Sequence, residues 1–229
     1  MPGPRAHNPG PPSPLQYLPG LRARLSSVFR TPGAPSGLHL RLTREIRVCF
    51  AMVQYRRNHV PGGTFFFTVT LADRRSSALV DYIGLLRNAF RQVRDRKPFA
   101  VDAIVVLPDH LHAILTLPSG DPDFPGRWKA IKAAFTRSVV AIGVSIPRNR
   151  RGEYALWQRR FWEHTIRDER DFERCADYIH FNPVKHQIVS TPNAWPHSSI
   201  HRYIRAGILP EDWGGGAQAD DASFGERAI

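Results

Sequence analysis

Residues 103–117 constrain the fold of this chain more than any other stretch. Ala103-Ile104-Val105-Val106-Leu107 is an apolar run, Pro108-Asp109 is a tight turn, and His110-Leu111-His112-Ala113-Ile114-Leu115 resumes a strand pattern that continues to Leu117. Two such runs joined by turn residues read as a β-hairpin. A hairpin alone is marginal in water, so other elements must cover it. On the second strand, residues two apart share a face. His110 and His112 therefore project side by side, and Leu111 points into a core. Paired imidazoles on a rigid strand are a starting point for a metal site, although a histidine pair of this spacing also occurs by chance.

The flanking patterns place the hairpin inside an alternating chain. Thr64-Phe65-Phe66-Phe67-Thr68-Val69-Thr70-Leu71 is β-branched and aromatic, a strand signal. From Ser77 to Arg96, Leu79, Val80, Ile83, Leu86, Ala89, Phe90 and Val93 recur at helical spacing, with Arg87, Arg91, Arg94 and Arg96 opposite, and Pro98 stops the helix. Trp128, Ile131, Phe135 and Val139 form the stripe of a helix from Phe124 to about Ile142. Residues 156–167 read as an extended segment plus a strand. Asp168 is a good N-cap for a helix running to about His180, with Phe172, Cys175, Ala176 and Ile179 as its apolar stripe. The order β-α-β-β-α-β-α predicts an α+β fold: a ferredoxin-like (RRM-like) sandwich, with an antiparallel central sheet and helices packed on one face.

At 229 residues, 42% of them hydrophobic and 23% charged, the chain can build one globular core. No apolar run approaches the ~18 residues of a membrane span. The net charge is +12, and only four of the 32 basic residues are lysines. An arginine-dominated excess suits phosphate recognition and points to nucleic acid. Cys49 and Cys175 make no disulfide framework, and no secretory signal is visible, so a cytoplasmic location is expected, at the nucleoid if the nucleic acid is chromosomal DNA.

Residues 1–50 hold nine of the 20 prolines, seven arginines and one acidic residue, Glu45. Such a segment buries too little apolar surface to offset its ordering entropy. Residues 1–51 are therefore read as a disordered basic arm, or as an over-extended reading frame whose true start is Met52. A globular domain follows over 52–213, and 214–229 form a flexible tail.

Tyr178 and Asn182 lie four residues apart and would share a helix face. Asn182 precedes Pro183, which disfavours helical geometry there, so Asn182 reads as the last helical residue or as the cap of a short turn. Two imidazoles and one amide oxygen leave positions open on an octahedral ion, which fits Mg²⁺ or Mn²⁺. Tyr178 lies off the Phe172/Ile179 stripe and could attack a phosphate polarised by that ion. His180 or Lys185 would favour the phenolate, and His164 is a further residue near the site. Against this stands the bland alternative that a tyrosine on a helix is usually structural, and that His164 and His180 are ordinary side chains.

The chain resembles the REP-associated tyrosine transposases of the single-tyrosine HUH superfamily. The resemblance runs from Tyr55 to about Trp213. It is carried by Tyr55-Arg56-Arg57 with Pro61-Gly62-Gly63-Thr64, by Leu107-Pro108-Asp109-His110-Leu111-His112, by Trp157-Gln158-Arg159-Arg160-Phe161-Trp162-Glu163-His164, by Asp177-Tyr178-Ile179-His180-Phe181-Asn182-Pro183-Val184-Lys185-His186, and by Trp195-Pro196-His197-Ser198-Ser199. It implies that His110 and His112 ligate a divalent metal, that Tyr178 is the nucleophile left joined to a DNA 5′ phosphate, and that Asn182 stands where insertion-sequence relatives carry a glutamine ligand. It also implies a DNA partner, a hairpin with an adjacent single strand, bound by a monomer or a homodimer. Gln187 occupies a position where such proteins commonly have glycine.

The expected function is metal-dependent cleavage and rejoining of single-stranded DNA at hairpin sites through a phosphotyrosine intermediate. Arg56, Arg57, Arg127, Lys132, Arg159 and Arg160 are the candidate phosphate contacts, and Phe65, Trp128 and Trp162 are aromatics that could stack bases but suit a core better. A non-catalytic DNA- or RNA-binding module on the same fold is the alternative. A hydrolase using activated water is a third reading.

Overall fold

The computed structural model describes residues 59–215. The arm over 1–51, Arg56, Arg57 and residues 216–229 of the tail lie outside the described residues. Four strands and five α-helices follow in order: β1 (Thr64–Thr70), α1 (Ala78–Asp81), α2 (Ile83–Arg96), β2 (Ala100–Val106), β3 (His110–Thr116), α3 (Phe124–Ala141), β4 (Trp162–Thr165), α4 (Glu169–Lys185) and α5 (Ile200–Arg205). The strands form one antiparallel sheet in the order β2-β3-β1-β4. The expected antiparallel sheet with helices packed on it is what the chain forms.

Helices cover both faces of the sheet rather than one. Phe65, Phe67, Val69, Leu111, Ala113 and Leu115 pack against Leu86, Ala89 and Val93 of α2 and Trp128, Ile131 and Phe135 of α3. Phe66, Ala103, Val105 and Ile114 pack against Phe172, Cys175, Ala176 and Ile179 of α4. The cause lies in β1. Phe65, Phe67 and Val69 line one face, Phe66 stands among threonines on the other, and all seven residues are buried, so each face needs a cover. The register then decides which face holds the histidines. Phe66, Thr68 and Thr70 of β1 lie opposite Ile114, His112 and His110, so both imidazoles point to the α4 side.

The helix expected from Ser77 to Arg96 is interrupted at Tyr82 (φ −112°, ψ 33°), followed by the weak helix formers Ile83 and Gly84. The free edge of β2 is closed by the C-terminal segment. Val106 N–H donates to His197 O at 2.9 Å, Ser199 N–H donates to Ile104 O at 2.7 Å, and Trp195 Nε1 donates to Val106 O at 2.9 Å. Unpaired edge groups are thus masked from intermolecular pairing.

Candidate functional site

The strand supplies two oriented imidazoles. His110 and His112 are both essentially fully buried. His110 Nδ1 lies 2.7 Å from Asp109 Oδ1, and the other Asp109 oxygen lies 2.6 Å from Arg74 Nε. A carboxylate accepts, so Nδ1 carries a proton, and in the neutral ring Nε2 keeps its lone pair. Burial opposes the ionisation of Asp109, but the hydrogen bond and charge of His110, with Arg74 behind them, outweigh it and hold this carboxyl below its ordinary value. His112 Nδ1 is engaged at 2.9 Å by Thr68 Oγ1 from β1. Both Nδ1 atoms are therefore occupied from the strand side, the arrangement that orients imidazole ligands by their second nitrogen.

The ring centres of His110 and His112 are 5.0 Å apart and nearly perpendicular, at 85°. A metal–nitrogen distance of about 2.1 Å, plus about 1.1 Å from nitrogen to ring centre, puts each centre about 3.2 Å from a shared ion. At ligand angles of about 90–110°, two such rings are about 4.5–5.2 Å apart. The pair fits a divalent ion in spacing and in donor chemistry.

Helix α4 brings the remaining groups. Asp168 caps it, accepting from Asp171 N–H at 2.9 Å. The helix does not end near His180 but continues through Pro183 to Lys185. Pro183 falls in the last turn, where its missing N–H removes one late helical bond, and the end is sealed by a Schellman motif. Ile188 N–H donates to Pro183 O at 2.9 Å and Gln187 N–H to Val184 O at 2.8 Å, with Gln187 at φ 57°. Asn182 is thus an interior helical residue, buried, and not a terminus or cap.

Because the helix continues, Tyr178, Asn182 and His186 form one stripe at a spacing of four. The stripe crosses the histidine pair. The Tyr178 ring is 5.2 Å from that of His112, and the His186 ring is 5.0 Å from that of His110. Tyr178 also belongs to the core, edge-on to Phe66 at 6.0 Å, so it is not clear of the packed face as its position off the stripe suggests. Lys185 Nζ donates to Tyr178 Oη at 3.2 Å and lies 4.6 Å from the ring centre.

His180 and His164, expected beside the tyrosine, have partners of their own. His180 faces away from Tyr178, two residues along the helix. Its Nε2 lies 3.0 Å from Ser199 Oγ, and its ring packs on Tyr203 at 4.6 Å and Trp213 at 6.0 Å. Burial, with Arg202 and His201 behind it, pushes its pKa down to about 3, so it is neutral. His164 bonds Asp171 Oδ2 at 2.8 Å, and Asp171 also accepts from Arg174 at 2.8 Å. His164, Asp171 and Cys175 have ligand-type atoms within 4.8 Å of one another. Burial, and then Asp171, pushes the Cys175 thiol up to about 12. This cluster fastens β4 to α4.

Among the expected phosphate contacts, Arg127 is misassigned. It is buried, with its guanidinium on Asp121 Oδ2 at 2.7 Å, Pro98 O at 2.7 Å and Asp123 O at 2.9 Å. Lys132 and Arg159 line a cleft of about 1060 Å³ with Lys129, Arg137, Arg150 and Arg151. Arg160 is exposed beside it. Of the three aromatics, Phe65 and Trp128 are core, and Trp162 is half-buried against Phe66 and His164.

Sequence reasoning passed over Asp109, Thr68 and His186. The signal for His186 was its spacing of four from Asn182, hidden by ending the helix before Pro183. Thr68 is visible only through the β1–β3 register.

No family model matches the chain. An Escherichia coli protein named REP-associated tyrosine transposase is 44% identical over 178 residues, covering 78% of this chain and 99% of its own. A Haemophilus influenzae protein given the same name provisionally is 45% identical over 166 residues, 72% of this chain and 94% of its own. A solved structure of a REP-associated tyrosine transposase bound to a REP hairpin superposes with a TM-score of 0.68 at 44% identity, covering 78% of this chain and 99% of that one.

Proposed function

The chain belongs to the REP-associated tyrosine transposases, and on that footing we propose that it cleaves and rejoins single-stranded DNA beside a hairpin, through a covalent bond between Tyr178 and a 5′ phosphate. The observation that carries this reading is the placement of the Tyr178 ring 5.2 Å from His112, on a helix stripe that crosses the histidine pair. His110, His112 and Asn182 would hold a divalent ion, Mg²⁺ or Mn²⁺. Bound there, the ion supplies Lewis-acid polarisation of the scissile phosphate.

The chain's own residues do the rest. Asp109 and Thr68 fix the two imidazoles. Phe66 holds the Tyr178 ring in place. The Lys185 ammonium, 3.2 Å from the phenolic oxygen, stabilises negative charge on it. The tyrosine oxygen gives up its proton to solvent and attacks phosphorus, the bond from phosphorus to the 3′ oxygen breaks, and that oxygen takes up a proton from solvent and leaves as a hydroxyl. Attack by a 3′-hydroxyl on the phosphotyrosine reverses the exchange and releases the phenol. One phosphodiester is conserved at each step, so no nucleotide hydrolysis is required. The basic cleft lined by Lys132 and Arg159 is the proposed track for hairpin phosphates. The catalytic domain is assigned to residues 52–213.

The test is incubation of the protein with a hairpin oligonucleotide carrying a single-stranded flank, with Mg²⁺ or Mn²⁺, followed by denaturing electrophoresis. Wild type is expected to give a covalent protein–DNA adduct and Tyr178→Phe none. Cleavage that persists without adduct in Tyr178→Phe would establish the hydrolase reading instead. Hairpin binding with neither cleavage nor adduct in wild type would establish a binding module.

A further inference from the structure

We propose that His186 is a third imidazole of the metal centre, which makes that centre selective for Mn²⁺ over Mg²⁺. The inference rests on the reading of His110 and His112 as ligands, and it extends the ligand set beyond them. The His186 ring stands 5.0 Å from His110, at 67°. That is the same separation as between His110 and His112, and the separation expected of two imidazoles sharing one ion.

The backbone fixes His186 in this position. It is the C-cap of α4, with its N–H on Asn182 O at 3.0 Å, and the residues after it are locked by the Schellman bonds. The ring therefore follows Tyr178 and Asn182 on the stripe that crosses the strand. A second feature points the same way. The C-terminal end of a helix carries a partial negative charge of about half an electron, which favours a cation there. Asn182 and His186 sit at that end of α4, with the His186 ring against His110.

The ligand set defines the metal. Mg²⁺ demands oxygen ligands and keeps much of its water, whereas imidazole suits transition metals. Three imidazoles and one carboxamide oxygen therefore select Mn²⁺ over Mg²⁺.

The test is Mn²⁺ binding by the full chain without DNA. Calorimetry gives the affinity, and pulsed electron paramagnetic resonance counts the coordinating nitrogens. His186→Phe keeps a ring against His110 and removes the donor. It is expected to weaken Mn²⁺ binding at least tenfold, at the low end of about 10–100-fold for lost ligand support. It should also reduce the nitrogen count from three to two and leave Mg²⁺ affinity nearly unchanged. If His186→Phe melts more than about 5 °C below wild type, His186→Gln replaces it and is read by the nitrogen count. Wild-type Mn²⁺ affinity and nitrogen count in the variant overturn the proposal, leaving His186 as a stacking residue. His110→Ala separates the two readings. If it too binds Mn²⁺ like wild type, the histidine pair is not the metal site. If it alone loses the ion, the pair stands and His186 falls.

Discussion

Acidification should loosen the helix that carries Tyr178 through one buried side chain, His180. Its Nε2 is bonded to Ser199, and its Nδ1 is buried with no hydrogen-bond partner among the described residues. A proton added at Nδ1 would have nowhere to donate, and the nearby charges come from Arg202 and His201. Burial, followed by those charges, lowers the folded pKa to about 3 from the ordinary 6.5 of histidine. The unfolded chain therefore binds a proton between these limits while the folded chain refuses it. Stability is unaffected above about pH 6.5 and falls as the pH drops toward 3, by up to about 1.4 kcal/mol per pH unit. Between pH 7.5 and pH 5.0 the loss from this one group is about 2 kcal/mol. The assay is urea unfolding at the two pH values, for wild type and for His180→Gln, which can still donate to Ser199 but does not titrate. Wild type should lose about 2 kcal/mol more than the variant over this interval. Equal losses in the two proteins would refute the argument, whatever their absolute stabilities.

Four further outcomes follow from contacts described above. Gln187→Gly should raise stability by about 0.5–1 kcal/mol, since the left-handed conformation costs a side chain about 1–2 kcal/mol and glycine returns part of that as unfolded-state entropy; thermal melting reads it. Phe66→Ala should cost about 3–5 kcal/mol and loosen the Tyr178 ring, seen as lost stability and weakened adduct formation. Thr68→Val should weaken metal affinity by about 10–100-fold while leaving the fold intact, measured by Mn²⁺ calorimetry. Arg127→Gln should lower stability without changing the salt dependence of DNA binding, whereas Arg159→Ala should reduce the salt slope by about 1, measured by fluorescence anisotropy at several ionic strengths.

The parts of this chain that could be read from its residues are those that rest on local pattern. The hairpin around Pro108-Asp109, the paired faces of His110 and His112, and the capped helix beginning at Asp168 follow from spacing and turn chemistry alone. What escaped depends on groups distant in sequence. The second layer of helix was implicit in Phe65-Phe66-Phe67, because three successive phenylalanines put aromatic surface on both faces of a strand. Pro183 reads as a stop, yet in a final turn a proline removes only one late hydrogen bond, and the Schellman motif seals the end. That difference of one turn concealed His186. Arg127 has the composition of a surface cation, and only the loop carbonyls of Pro98 and Asp123 make it an interior one. His180 shares a motif with Tyr178 but points the opposite way, a consequence of two residues turning a helix by about 200°.

The seating of α4 bears on how strand exchange is organised. Its start is tied to β4 through His164 and Asp171, and its far side is tied to the β2 edge through His180 and Ser199. On the proposed reading of Tyr178 as the nucleophile, these two fastenings hold it in one place, and a DNA end joined to it would stay where it was cut. Its new partner would then be carried to that end by movement of the nucleic acid. The choice of what is rejoined would rest on which 3′ end the bound DNA itself can fold back into reach.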